Sequence, residues 1–455
     1  MDIGTYPIGY PRFLRLFSVF STSDTALVAF QYLSIQCGAL FLLFTLFYFY
    51  QPGKTVQMGL LCFIVFNPLF LYLSNLISSD AVFLALSLLW FSLLLWIMHR
   101  PTTAIIILHA MVLFVAFVFR YNALIYPVIA VAAFGLSRLT MYKKVVGVVA
   151  GMLLCGMFVG YTGHKYKALT GTWQFSPFSG WQMANNALYI YRQVDSAVRK
   201  PVPIKFKELD NMVRNYYDTT DGVGIMPAEG FEINTIHMWD SRLPLTKYMD
   251  RQFATDSSSG KFKRWASVAS LYKEYGSCII RRYPLQFAKY FLWPSAKKYY
   301  APPVEFLEKY NNGSDTVGQI AQQWFRYSEA RVKKRVIDME RPVLEFYTVL
   351  SGIMNMVLLC TFACFAILNG IRADTPFRKF VLIATTVWLL NAGFTIFASP
   401  AALRFQVFPV ILVTISFVLL LDWTMKVMTI KEDVPTVEPS KPAIHAMVEG
   451  LERGS

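Results

Sequence analysis

Three stretches of this 455-residue chain set an ionisable group at the edge of a long apolar run: Ser78-Ser79-Asp80, Arg120-Tyr121-Asn122, and Pro400-Ala401-Ala402-Leu403-Arg404. Charged side chains at membrane depth are costly, so each invites a functional reading beside a structural one. Asp80 follows two serines and precedes an apolar run, which suits a helix cap facing the positive end of the helix dipole. Arg120 closes a run, where the dipole favours a cation and the side chain can snorkel to headgroups. Arg404 opens one, where the dipole disfavours a cation, so an anion is expected to offset it. One acid and two arginines on one level would suit a phosphate on a lipid carrier, because a guanidinium grips phosphate oxygens in bidentate fashion. The acid could serve as general base toward a hydroxyl or hold a divalent metal that neutralises a phosphate leaving group, and the spacing leaves both open.

These groups need a membrane around them, and the composition supplies it. Apolar residues make up 55% of the chain and charged residues only 16%, with a mean hydropathy of +0.42. A soluble domain runs nearer a quarter charged. The net charge of +15 could suggest nucleic acid, but the basic residues punctuate apolar segments and fit lipid headgroups instead. Five of the six cysteines lie inside apolar runs, and no C-x-x-C or Cys/His zinc spacing occurs. Apolar windows of roughly 20 residues are the length a bilayer needs. Such windows fall at about 25–50, 57–77, 80–98, 102–119, 123–139, 145–163, 343–369, 378–399 and 401–425. The expected fold is therefore an all-α polytopic membrane protein of about nine transmembrane helices. One large extracytoplasmic domain, mostly helical, is expected between spans six and seven. The segments are 1–24 (juxtamembrane), 25–163 (six spans), 164–342 (the large domain), 343–425 (three spans) and 426–455 (a disordered cytoplasmic tail).

Sidedness follows from Lys and Arg in short turns. Lys54, Arg100, Arg138, Lys143, Lys144, Arg372, Arg378, Lys379, Lys426 and Lys431 fall on one set of turns, and only Arg120 and Arg404 on the other. The first set is expected to be cytoplasmic, with the large domain and the N-terminus outside. Because spans alternate, Asp80, Arg120 and Arg404 are expected at one face beneath that domain. Residues 1–23 show no signal peptide; Tyr6-Pro7-Ile8-Gly9-Tyr10-Pro11 reads as a turn into a short interfacial amphipathic helix. An outside start through such a turn leads to the expectation of a further native helix upstream of Met1.

Within the large domain, Arg281-Arg282-Tyr283-Pro284 runs through Lys289, Tyr290, Trp293 and Lys297-Lys298-Tyr299-Tyr300, a mix of rings and cations suited to the headgroup region. Single-stranded nucleic acid could use the same mix, and the extracytoplasmic placement argues against it. Arg331, Lys333, Lys334 and Arg335 form a second basic cluster. Trp173, Phe175, Phe178, Trp181, Asn185, Asn186 and Tyr189 could make a sugar-binding surface, although a domain core is the stronger reading. Asp218, Asp221, Glu229, Glu232 and Asp240 could reach an acceptor but read mainly as solvated loop charges. No Gly-rich phosphate loop, G-x-S-x-G or H-E-x-x-H occurs, which leaves the chemistry to the membrane face.

The set Tyr6-Pro7-Ile8-Gly9-Tyr10-Pro11 with Phe13-Leu14, Asn67-Pro68 through Ser78-Ser79-Asp80, Arg120-Tyr121-Asn122-Ala123-Leu124 with Tyr126-Pro127, and Arg404-Phe405 with Phe408-Pro409 resembles the integral-membrane glycosyltransferases of the GT-C class. That class includes protein O-mannosyltransferases and bacterial aminoarabinose transferases. The resemblance covers residues 1 to 140 and 345 to 425 and leaves the large domain unmatched. It implies transfer of a sugar from a polyprenyl-phosphate donor to a glycan, lipid or protein acceptor on the extracytoplasmic face of a bacterial cytoplasmic (inner) membrane. Asp80 would be the catalytic or metal-binding acid, Arg120 and Arg404 would hold the donor phosphate, and Tyr121, Asn122, Tyr6 and Tyr10 are further candidates. A divalent metal is the only cofactor implied, and no nucleic-acid partner is expected. The family's acid in its first outer loop has no clear counterpart here, Asp2 being the only acid near that position. Two rival readings are a transporter or flippase of lipid-linked saccharides and a non-catalytic envelope assembly subunit. The first favours internal repeats and broken helices.

Overall fold

The computed structural model describes residues 3–220, 234–256, 259–305, 307, 311, 314–332, 342–373, 375–398 and 401–432. Asp2, Asp221, Glu229, Glu232, the Lys333-Lys334-Arg335 cluster and residues 433–455 of the tail lie outside them. In hydrocarbon a helix satisfies its backbone polar groups within its own segment, and the described apolar windows all fold as helices. A short amphipathic helix α1 (Gly9–Phe17) leads into α2 (Asp24–Tyr50), which Ser23 caps by accepting from the Ala26 amide. The second window is split. Helix α3 (Lys54–Val65) stops before Pro68, which has no N–H to continue the ladder, and Asn67 restarts the chain as the cap of α4 (Pro68–Ser74).

Then follow α5 (Asp80–His99), α6 (Thr103–Phe119), a 3₁₀ turn (Tyr121–Ile125), α7 (Tyr126–Leu136) and α8 (Met141–Thr170). Among the described residues, seven helical segments are long and apolar enough to cross a membrane: Asp24–Tyr50, Lys54–Ser74, Asp80–His99, Met141–Thr170, Leu344–Ile367, Pro376–Ala398 and Leu403–Thr429. The windows at 102–119 and 123–139 make shorter apolar helices. Arg120 adopts an extended backbone that ends α6, and Pro127 opens α7, so their 17 and 11 helical residues rise only about 26 and 17 Å.

Helix α8 continues past its expected end to Thr170, and the inserted domain begins after it. This domain contains α9 (Pro177–Tyr191), α10 (Lys207–Thr220), α11 (Ile236–Trp239), α12 (Pro244–Gln252) and α13 (Lys261–Arg282). A nearly continuous helix follows as α14 (Pro284–Phe287), a π-turn (Ala288–Leu292) and α15 (Trp293–Tyr300), and then α16 (Gln319–Phe325). The domain has its own core, centred on the α9–α13 pair. That pair packs closely because a Cβ at Gly180 would strike the Ala269 carbonyl. Trp181 stacks on Trp265 and donates to its carbonyl at 2.9 Å. Trp181, Asn185, Asn186 and Tyr189 are thus buried core residues and no open sugar platform, whereas Trp173 is exposed.

Helices α17 (Pro342–Ile367), α18 (Pro376–Ala398) and α19 (Leu403–Glu432) complete the bundle. The expected tail start at 426 is instead helical to Glu432, where Lys426 pairs with Asp422 one turn earlier at 2.7 Å and bonds the Gln51 carbonyl at 3.2 Å. Helices α5 and α19 are the central pair: 72% of each span is enclosed, against 28–39% for the other five spans. Basic groups collect at one end of the bundle. There Asp422 accepts from the Gly53 amide, Arg100 lies over the Tyr48 ring, and Lys379 and Arg138 act on His99.

Candidate phosphate site at the rim of the bundle

At the opposite end, the two central helices begin side by side, and each opens with a charged residue. Ser79 precedes α5 without a side-chain cap bond, and Asp80 in the first turn directs its carboxylate across the bundle. One oxygen, Oδ2, accepts from both Nε and Nη2 of Arg404 at 2.6 Å and from the Ser78 hydroxyl at 2.5 Å. The other, Oδ1, is in contact with Nη1 of Arg120. The Asp80 side chain is 2% exposed, while Arg120 and Arg404 keep 17% and 21% open. The anion that offsets Arg404 at its helix start is therefore Asp80, 324 residues away in sequence. The cluster still retains one net positive charge, and the positive ends of α5 and α19 add to it. A guanidinium has five donors, so neither arginine exhausts its capacity on one carboxylate.

Aromatic rings fix these cations. The Arg120 guanidinium lies 4.9 Å from the Phe405 ring centroid and 5.7 Å from that of Phe83. Such contacts hold a guanidinium plane without consuming its donors. Sequence reasoning missed Phe83, although it stands one helical turn after Asp80.

The remaining candidates divide. Tyr6 is exposed, lies within electrostatic reach of Arg404, and forms a ring cluster with Phe178 and Trp239 of the inserted domain at 6.1 and 6.3 Å. Tyr10 is buried and structural: it donates to Gln31 Oε1 at 3.1 Å, and Gln31 in turn donates to the carbonyls of Ser74 and Leu76 at 2.7 and 3.1 Å. This chain holds the turn that carries Asp80. Tyr121 packs on Phe175 at 4.8 Å, tying the 3₁₀ turn to the start of the inserted domain. Asn122 is half-buried beside it.

The inserted domain is fastened over this end. Asn186 donates to the Phe397 carbonyl at 2.9 Å, and the Leu403 amide donates to the Pro303 carbonyl at 2.7 Å, one residue before Arg404. Below the rim a cavity of about 970 Å³ opens between α1, α2, α5, α6 and α8. Phe13, Cys37, Phe41, Val82, Phe119 and Met157 are among its walls; Phe119 directly precedes Arg120, and Val82 follows Asp80 after Ala81. Its lining is almost wholly apolar, and sequence periodicity gave no sign of it.

The donor set does not suit a divalent metal. Asp80 is one carboxylate whose oxygens already meet two guanidiniums, and those charges repel a further cation. Among the described residues no three His, Cys, Asp or Glu side chains gather as a metal site. Of the domain carboxylates considered as acceptor ligands, Asp218 pairs with Arg199 and Asp240 with Arg242. Known protein families, curated proteins and solved structures offer no match to this chain.

Proposed function

We propose that this chain is a membrane glycosyltransferase of the GT-C kind, moving a sugar from a polyprenyl-phosphate donor to a glycan, lipid or protein acceptor. The observation that supports it best is the Asp80–Arg120–Arg404 cluster, net positive at a bundle rim, with an apolar cavity of about 970 Å³ close by, whose walls include Val82 from the helix that Asp80 opens and Phe119 from the run that Arg120 closes. A lipid phosphate needs both: cations for the head and an apolar channel for the chain. In this reading all nine apolar helices lie in the bilayer, the basic end faces the cytoplasm of a bacterial cell, and the inserted domain lies outside. An acceptor oxygen attacks the anomeric carbon, the bond to the phosphate oxygen breaks, and the electron pair leaves on phosphate. The acceptor's proton ends on the released phosphate monoester or in water.

Asp80 belongs to the phosphate side of this scheme. Its Oδ2 accepts from Arg404 and Ser78 while Oδ1 lies against Arg120, so it acts as a positioning residue that aims the guanidiniums. Charge builds on the departing phosphate oxygen, so a fixed cation there lowers the barrier more than it tightens donor binding. Purified protein with a polyprenyl-phosphate-linked sugar is expected to transfer or slowly hydrolyse it, and Arg404→Gln to lower turnover by about 10²–10³-fold at unchanged expression. Turnover at the wild-type level in that variant would remove the site.

The break between α3 and α4 favours one rival, a flippase, since transporters use interrupted helices. Energised movement of the intact donor across proteoliposomes, without cleavage, would select that reading. Neither cleavage nor movement would leave the assembly subunit.

A further inference from the structure

Three aromatic rings form a small wall where the N-terminal turn meets the inserted domain. Tyr6 and Phe178 lie 6.1 Å apart between ring centroids, Tyr6 and Trp239 6.3 Å, and Phe178 and Trp239 6.2 Å, so each ring touches the other two. Tyr6 is 63% exposed, Trp239 46%, and Phe178 is half-buried. Large rings gathered in the open forgo the gain that burial would bring, and such a patch marks a surface for a ligand.

Each ring is held in place by its own segment. The N-terminal turn is pinned on both sides of Tyr6: the Gly4 carbonyl accepts from the Tyr166 hydroxyl at 2.8 Å, and Gly9 lies against the Val118 carbonyl. Phe178 stands in the first turn of α9, which is tied to the rim because Gln182 donates to Asn186 at 2.7 Å and Asn186 to the Phe397 carbonyl at 2.9 Å. Trp239 ends α11, whose first amide, that of Ile236, donates to Asn234 Oδ1 at 2.9 Å, and the Tyr189 hydroxyl donates to the same oxygen at 2.8 Å.

The wall also has a charged neighbour. Tyr6 lies within electrostatic reach of Arg404, whose side chain keeps 21% of its surface open. In a phosphate-linked sugar the ring carbon is one bond from the phosphate oxygen, so a phosphate gripped by Arg404 carries its sugar toward these rings. A pyranose presents a face of C–H groups that packs on aromatic rings, and an edge of hydroxyls that the Tyr6 hydroxyl and the Trp239 indole N–H can meet. The wall itself carries no charge, and Asp240, next to Trp239 in the chain, is spent on Arg242 at 2.7 Å.

We infer that Tyr6, Phe178 and Trp239 form the subsite for the sugar of the donor, and that it takes an uncharged hexopyranose. The inference rests on the reading of the rim as a lipid-phosphate site and adds the part of the donor that the rim leaves unassigned.

Native mass spectrometry of the full-length protein with decaprenyl phosphoglucose, decaprenyl phosphomannose and decaprenyl methyl phosphate tests it, since the methyl diester carries the same single charge and no sugar. At least one sugar diester is expected to bind at least about fivefold more tightly than the methyl diester. Tyr6→Ala and Trp239→Ala are each expected to cut that preference below about twofold, and Trp239→Phe to keep most of it. Both rings are exposed, so the truncations remove little packing, and if one variant fails to fold the other decides. A belt of rings at the lipid headgroups would treat all three diesters alike. Equal binding of the three, no binding of any, or a full sugar preference in a folded alanine variant would each overturn the inference. Failure of the phosphate reading shows separately, as methyl diester binding no more tightly than decaprenol, and the sugar preference still decides on the rings.

Discussion

Asp80 serves two cations at once, and that fixes what its loss would do. Breaking a buried pair by removing one partner costs about 3–5 kcal/mol, because a charge is left without compensation. Asp80→Ala strands two guanidiniums close together, whereas Arg404→Gln leaves Asp80 with Arg120. Thermal unfolding in detergent should therefore show Asp80→Ala losing about 3–5 kcal/mol and Arg404→Gln clearly less. Equal melting of both variants and wild type would mean that the ion pairs contribute nothing. The alternation of apolar runs was enough to put these three residues at one end of the bundle. The contact itself was not legible, because it joins the starts of two helices 324 residues apart. For the same reason the sequence pointed to an external anion for Arg404, when the chain provides one of its own.

Helix breaks fall where the apolar pattern gives no warning of them. Pro68, Pro127 and Pro294 break or widen their ladders where the pattern of apolar residues alone ran on without a mark. At the N-terminus, a Cβ on Gly9 would lie 2.6 Å from the Val118 carbonyl, so only glycine lets α1 dock against the end of α6 beside Arg120. In the inserted domain the short helix α11 holds His237 neutral and buried. Its folded pKa of about 3 lies below the value of 6.5 for a free imidazole, so the unfolded chain binds the extra proton as the pH falls. The contribution of this residue is complete above pH 6.5 and shrinks steadily as the pH drops toward 3. Asp240, held near a pKa of about 2 by hydrogen bonds from Arg242, begins to lose its share only below its ordinary value of 3.8. Unfolding followed by tryptophan fluorescence should show stability falling between pH 6.5 and 4, and His237→Phe should flatten that slope. An unchanged slope in the variant would assign the acid sensitivity elsewhere.

For the molecule as a whole, composition sufficed to read a helical membrane protein with one large insertion. The basic turns marked a common end because they repeat in every short connection. The insertion was opaque for the opposite reason: its rings and amides suited a core and a binding surface equally, and only packing separates those. With that end in the cytoplasm, a cysteine placed at the exposed Asp195 should react with an impermeant maleimide in intact cells, while one replacing Lys54 should react only after lysis. The reverse pattern would turn the protein over and put the charged rim on the cytoplasmic side. In the proposed function the charged rim receives the phosphate of a lipid carrier, with the apolar cavity close by for its chain. Native mass spectrometry of the purified protein with polyprenyl phosphate and with the matching polyprenol tests this most directly. The phosphate is expected to bind at least tenfold more tightly than the alcohol, about 1.4 kcal/mol, and Arg404→Gln to erase most of that difference. Equal binding of phosphate and alcohol to the wild-type protein would contradict the account.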